Sequence, residues 1–210
     1  LDGTTTYFRV RAENHEGIAT AYDQIVSQFV PPLTPPRAPI ALEAKSRTET
    51  SITWTWVDNS IWETGYRVLR SSDLVQVSTD LAANTTEWTE TGLTPNTSAQ
   101  IVVRAVNSYG FSNSGPSPIR YSSAKPPTGT ALVASSGTAA SFSWSANGNP
   151  AGTTYRAEKS ADGISFTFSS TGTLLGAQAT GLTGGVTNYF RVRAENGDGV
   201  ATAFDAPVAV

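Results

Sequence analysis

The sequence predicts an all-β fold: tandem antiparallel β-sandwiches with no significant helix. Three observations carry this. Apolar and polar residues alternate in short runs, as in Ser51–Val57, where Ile52, Trp54 and Trp56 share one face. Turn residues separate such runs at short intervals, and no apolar stripe of helical period is sustained. The octapeptide YFRVRAEN occurs twice, at residues 7–14 and 189–196.

The repeat extends beyond the octapeptide. HEGIATAYD at 15–23 matches GDGVATAFD at 197–205, and IVVRAVNSYGFSNS at 101–114 is a weaker middle copy. Anchored on Ala12, Ala105 and Ala194, the copies lie 93 and 89 residues apart. That period is too long for a solenoid repeat and fits whole domains in tandem. Each copy is read as a hairpin. Phe8, Val10 and Ala12 point one way, Arg9, Arg11 and Glu13 the other, and the following Asn14-x-x-Gly17 supplies the turn.

In chain order, residues 1–30 hold the final hairpin of an incomplete domain, whose inward Phe8, Val10 and Ala12 need a partner sheet. Residues 31–37 are a Pro-rich linker, with Pro31, Pro32, Pro35 and Pro36 favouring extended backbone. Residues 38–123 form a complete domain. Its strands run through Ile52, Trp54 and Trp56, then Tyr66 and Val68, then Ile101, Val103 and Ala105. Residues 124–128, with Pro126 and Pro127, are a second linker. Residues 129–210 form another domain, with Ala140, Phe142 and Trp144, then Tyr155 and Ala157, then Phe190, Val192 and Ala194 facing inward.

Composition narrows the function classes. The 210 residues include no cysteine, which excludes a disulfide scaffold, a thiolate metal site and a cysteine nucleophile. The single histidine, His15, leaves no second imidazole for a metal site or triad within the chain. The net charge of -3 gives no basic footprint for nucleic acid. No run approaches the roughly 20 apolar residues of a membrane span, so no direct membrane insertion is expected. Methionine is absent, even at position 1, so the chain is expected to be a piece of a longer protein.

At this point the residues resemble tandem fibronectin type III domains of bacterial-style secreted or cell-surface proteins. In the middle domain the resemblance rests on Trp56, on Asp58-Asn59-Ser60 followed by Glu63-Thr64-Gly65-Tyr66-Arg67-Val68, on Thr91-Gly92-Leu93-Thr94-Pro95, and on Val103-Arg104-Ala105-Val106-Asn107. In the last domain it rests on Trp144, Asn149-Pro150-Ala151-Gly152-Thr153-Thr154-Tyr155, Ser160-Ala161-Asp162-Gly163 and Gly181-Leu182-Thr183-Gly184. One departure is visible. The family's corner tyrosine, six residues after the Leu of the E–F turn, is replaced by Ala99 and Asn188. The hydrogen bond it makes must be missing or rebuilt.

No catalytic residue, metal ligand or cofactor is assigned. Asp58, Asn59 and Glu63 are read as loop-bonding residues rather than calcium ligands, and no Gly-x-Ser-x-Gly elbow precedes a helix. Two contact surfaces are candidates. Trp62, Tyr109 and Phe111 belong to B–C and F–G loops, which share one end of a sandwich, where aromatics stack on sugars or anchor a protein. Arg9, Arg11, Arg191 and Arg193 alternate on outward strand faces and form a candidate anion-binding stripe, with cross-strand pairing to Glu13 and Glu195 as the plainer reading. Asn84-Thr85-Thr86 and Asn96-Thr97-Ser98 match the N-glycosylation pattern by chance composition.

The expected function is a non-catalytic extracellular structural or adhesive module. It is a semi-rigid rod that spaces or presents other domains, or contacts protein or carbohydrate at the cell surface. Two alternatives stand beside it. One is an accessory spacer of a secreted polysaccharide-degrading enzyme. The other is a filament subunit in which another chain completes residues 1–30 by strand complementation.

Overall fold

A computed structural model describes residues 4–30 and 33–210. Pro31 and Pro32 of the expected linker, and residues 1–3 of the first hairpin, lie outside the described residues. The described chain is all-β, in three groups of strands, and no sheet joins one group to another.

The first group is a hairpin. Strands β1 (Thr4–Phe8) and β2 (Val26–Val30) pair antiparallel, with Phe8 opposite Val26, and Glu13 bridges Ala19 nearer the turn. Side chains tie the intervening segments together. Asp23 accepts from the Val10 amide at 2.7 Å and Thr20 from the Ala12 amide at 3.0 Å.

The second group is a two-sheet sandwich. Strands β3 (Ile40–Arg47), β4 (Ser51–Val57), β5 (Gly65–Arg70), β6 (Leu81–Ala82) and β7 (Glu87–Thr91) are followed by the short β8 (Ser98–Ala99), then β9 (Ile101–Asn107), β10 (Gly110–Asn113) and β11 (Arg120–Tyr121). One sheet has the order β3-β4-β7 and the other β10-β9-β5-β6, while β8 and β11 make a small closing pair. Period-two alternation sends Ile52, Trp54, Trp56, Tyr66, Val68, Ile101, Val103 and Ala105 into one core, all at most 3% exposed. Each large apolar side chain so buried contributes roughly 1.5–3 kcal/mol.

The third group repeats the plan. Strands β12 (Thr128–Ser136), β13 (Ala139–Ser145), β14 (Thr154–Ser160), β15 (Thr167–Gly172), β16 (Gly176–Thr180), β17 (Tyr189–Glu195) and β18 (Val208–Ala209) form sheets of order β12-β13-β16 and β15-β14-β17-β18. These two sheet orders follow those of the second group, without a counterpart of the β8–β11 pair. Even the first-strand bulges recur, at Ile40/Glu43 and Ala44/Ser46 and again at Thr128/Ala131 and Leu132/Ala134. The left-handed residue inside the leading bulge is Ala41 (φ 53°) in one and Gly129 (φ 65°) in the other. The core divides into a Trp144–Tyr155–Val192–Ala194 cluster and a Phe142–Phe190 cluster whose ring centroids are 3.7 Å apart.

The missing corner tyrosine is rebuilt differently in each sandwich. Asn188, buried, donates from Nδ2 to the carbonyls of Thr183 at 3.2 Å and Val186 at 3.0 Å. Ala99 has no such group, and Ser122 takes over. Fully buried, it donates to Thr94 O at 2.7 Å and accepts from the Thr97 amide at 3.0 Å. Both devices satisfy the backbone of the same turn, which an unpaired buried carbonyl would otherwise destabilise.

Candidate functional site

The loop of Trp62 and the turn of Tyr109 meet at one end of the second group. Asn107, at the end of β9, donates from Nδ2 to Trp62 O at 3.5 Å and to Thr34 O at 3.0 Å. Trp62 is half-buried, and its indole Nε1 is buried without a partner. Tyr109 remains 46% exposed beside it in the turn. Phe111 faces outward on β10, where the Arg104 guanidinium stacks over it at 4.0 Å. The segment before β3 packs on the same turn: a Cβ on Gly110 would sit 3.1 Å from Pro35 Cγ. Pro36 and Pro39 are fully buried, so these prolines pack against protein as well as extending the backbone.

Arg191 and Arg193 lie on the outward face of β17, Arg9 and Arg11 just beyond β1, and each already has partners. Arg191 donates from Nε and Nη2 to Glu158 Oε2, at 3.0 and 2.7 Å. It also lies between two rings, 3.8 Å from the Phe166 centroid and 4.1 Å from that of Phe204. Arg193 pairs with Glu195 at 3.3 Å. In the first hairpin, Arg9 lies 3.8 Å over the Tyr22 ring and Arg11 approaches Glu13 at 3.6 Å. Tyr22 and Phe204 are equivalent positions of the repeat, so the same stacked layer recurs on both outer faces. The positive charge of Arg191 is thereby neutralised by a carboxylate whose residue is 8% exposed.

Glu63 and Asp58 bond loop backbone. Glu63 Oε1 accepts from the Asn84 amide at 3.2 Å, and Asp58 Oδ1 from the Ser60 amide at 3.0 Å and the Tyr66 hydroxyl at 2.5 Å. That acceptor and burial push the Tyr66 phenol well above its ordinary range, burial being the larger cause. Among the described residues, no three His, Asp or Glu side chains converge as a metal cluster.

The most densely bonded locus is the joint between the second and third groups. Asn196, at the head of the F–G turn, is buried and donates from Nδ2 to Ser122 O at 3.1 Å. Its Oδ1 accepts from the amides of Asp198 and Val200, which shapes the turn. Asn96 reaches across from the other side. Its Nδ2 donates to Thr153 Oγ1 at 2.9 Å, and its Oδ1 accepts from the Gly197 amide at 2.7 Å. Asp198 then accepts from the Tyr121 amide at 2.9 Å and pairs with Arg47. The Tyr121 ring covers Gly197 so closely that a Cβ there would sit 2.4 Å from its atoms. Asn107 and Asn196 are equivalent positions, and both grip a main-chain carbonyl of the preceding segment.

Residues 34–120 match the family model described as Fibronectin type III domain. That segment is a fibronectin type III domain. Residues 128–210 repeat its strand order and bulges. A curated relative, Exoglucanase B of Cellulomonas fimi, is 32% identical over 136 residues, which is 61% of this chain. The chain spans 12% of the length of that enzyme. Among solved structures, a two-domain fibronectin type III segment of chicken tenascin shares 18% identity at a TM-score of 0.49, with 83% of this chain and 98% of that one covered. Domains A168–A170 of titin share 17% at 0.45, with 98% and 74% covered.

Sequence reasoning missed the joint. Asn96 drew notice as part of the turn motif after Thr91 and as a glycosylation pattern, not as an interface residue, yet both polar ends of its side chain are engaged in the interface. The signal that was available is the repetition of Asn14, Asn107 and Asn196 at one turn position. Glu158 and Phe166, which close the arginine layer of the third group, carried no pattern distinguishing them from other surface residues.

Proposed function

We propose that the chain is a non-catalytic extracellular spacer in which fibronectin type III sandwiches, over residues 38–123 and 129–210, are held end to end at residues 124–128. The observation that carries this is the joint. Side-chain bonds from Asn96, Asn196 and Asp198 to main-chain groups across it give the pair a preferred orientation. Fibronectin type III domains are in general non-catalytic modules, and the polar groups at this joint are bonded to one another. Small-angle scattering of the chain tests it. A single compact distribution of interdomain distances is expected, and a broad one would overturn the reading.

A second reading names the setting: an accessory region of a secreted polysaccharide-degrading enzyme. The identity shared with Exoglucanase B of Cellulomonas fimi favours it. A structural or adhesive role at a cell surface, with protein or glycan held at Trp62, Tyr109 and Phe111, is the broader alternative. Binding to cellulose and to a glycan array, with Trp62→Ala as control, separates the two. No helix among the described residues is long and apolar enough to cross a membrane.

A further inference from the structure

The chain contains two Asn-Gly pairs, Asn147-Gly148 and Asn196-Gly197. An asparagine followed by glycine carries a latent reaction, because its side-chain amide and the next main-chain nitrogen can close a cyclic imide. Glycine has no Cβ to shield that nitrogen. The fold treats the two pairs in opposite ways.

Asn196-Gly197 is held. The asparagine is 5% exposed, its Nδ2 donates to Ser122 O at 3.1 Å, and its Oδ1 accepts from the Asp198 and Val200 amides at 3.1 and 2.8 Å. The nitrogen that would attack is engaged as well, since the Gly197 amide donates to Asn96 Oδ1 at 2.7 Å. Asn147-Gly148 lies in the tight turn between β13 and β14, closed by the Asn149 amide on Ala146 O at 3.1 Å. Gly148 is exposed, and a Cβ built on it would meet nothing within 4 Å. Among the described residues, neither the Gly148 amide nor Asn147 Oδ1 has a partner. The Asn147 side chain is tied down by a single bond, from Nδ2 to Pro126 O at 2.8 Å. That bond fastens residues 124–128 to the turn, together with bonds from the Asn149 side chain to the Lys125 amide and carbonyl at 2.8 Å each.

We propose that Asn147 is a site of self-modification, where deamidation loosens residues 124–128 from the third group while Asn196 is preserved. The Gly148 nitrogen bonds to Asn147 Cγ and gives up its proton, the Cγ–Nδ2 bond breaks, and ammonia leaves with that proton. Solvent water then opens the imide at either carbonyl, leaving aspartate or isoaspartate. The product is a carboxylate, which only accepts hydrogen bonds, facing the Pro126 carbonyl. A donor is lost there and repulsion takes its place. The chemical step does not rest on the spacer reading.

The test is ageing of the full chain in mildly alkaline buffer, native and in guanidinium chloride, followed by peptide mapping for the gain of one mass unit. In denaturant both pairs should convert at similar rates. In the native chain Asn147 should convert at least about tenfold faster than Asn196, whose reaction needs the joint to open first. Asn147→Gln, whose longer side chain does not close the same ring, should remove the native signal. Asn147→Asp supplies the carboxylate directly and should speed hydrogen exchange at the Lys125 amide. Retention of the native Asn147 amide over a period in which the unfolded chain converts overturns the modification, as does equal native conversion at Asn196. Unchanged Lys125 exchange in Asn147→Asp overturns the loosening.

Discussion

Phe8 and Phe190 occupy the same register of the same hairpin, yet Phe190 is 4% exposed and Phe8 58%. Identical local sequence yields identical local bonding, while packing is supplied from elsewhere in the chain. Phe190→Ala removes the ring stacked on Phe142 and should cost about 3–5 kcal/mol. Phe8→Ala removes an exposed ring and should change stability by less than about 0.5 kcal/mol. Chemical denaturation followed by the fluorescence of Trp144 reads the first, and the same titration should leave the second superimposed on the parent.

The joint gives a prediction that separates coupling from folding. Gly197→Ala places a methyl group where the Tyr121 ring lies, and Asn96→Ala removes two bonds across the interface. Both should broaden the interdomain distance distribution in scattering. Asn96→Ala should also cost about 1–3 kcal/mol, because the Gly197 amide loses its partner, while the Thr153 hydroxyl keeps its bond to Pro150 O. Equal scattering curves for parent and variants would show that the orientation does not depend on these contacts.

Ala41 holds a left-handed backbone conformation at a bulge where the other sandwich has Gly129. An L-residue with a Cβ is strained there by roughly 1–2 kcal/mol. Ala41→Gly should therefore stabilise the second group, by about 0.5–1 kcal/mol after the greater flexibility of the unfolded glycine is deducted. A midpoint that falls on substitution would contradict this.

Acid stability should depend on Asp162. Its carboxylate accepts from the Ser160 hydroxyl at 2.7 Å and from the Ile164 and Ser165 amides at 2.8 Å each. These bonds, Ser160's the largest, hold it well below the usual carboxylate range. A depressed pKa stabilises the fold above the unfolded value near 4 and is lost as pH falls toward the folded value. The melting-temperature difference between the parent and Asp162→Ala should thus shrink from roughly pH 5 to pH 2. A difference that stays constant with pH would assign the effect to turn geometry alone.

Fold and core were legible because they rest on period-two alternation. Ile52, Trp54, Trp56, Phe142 and Trp144 were assigned inward from spacing alone, and all are buried. The joint was not, because its bonds link residues far apart in sequence, as Asn96 and Gly197 are. The arginine layer was half-legible. Arg191 and Arg193 alternate on β17, but the rings of Phe166 and Phe204 arrive from loops and the carboxylate of Glu158 from β14. Only tertiary pairing shows that these side chains answer one another.

The Asn107 and Asn196 grips carry a consequence for anything joined through this chain. A freely jointed tether sets only a maximum reach, and the local concentration of whatever it carries falls as it lengthens. A tether fastened at a joint by a turn asparagine, as Asn196 fastens Ser122 O, sets a minimum separation across that joint as well. Whatever the two sandwiches carried would be kept apart as firmly as it is kept together.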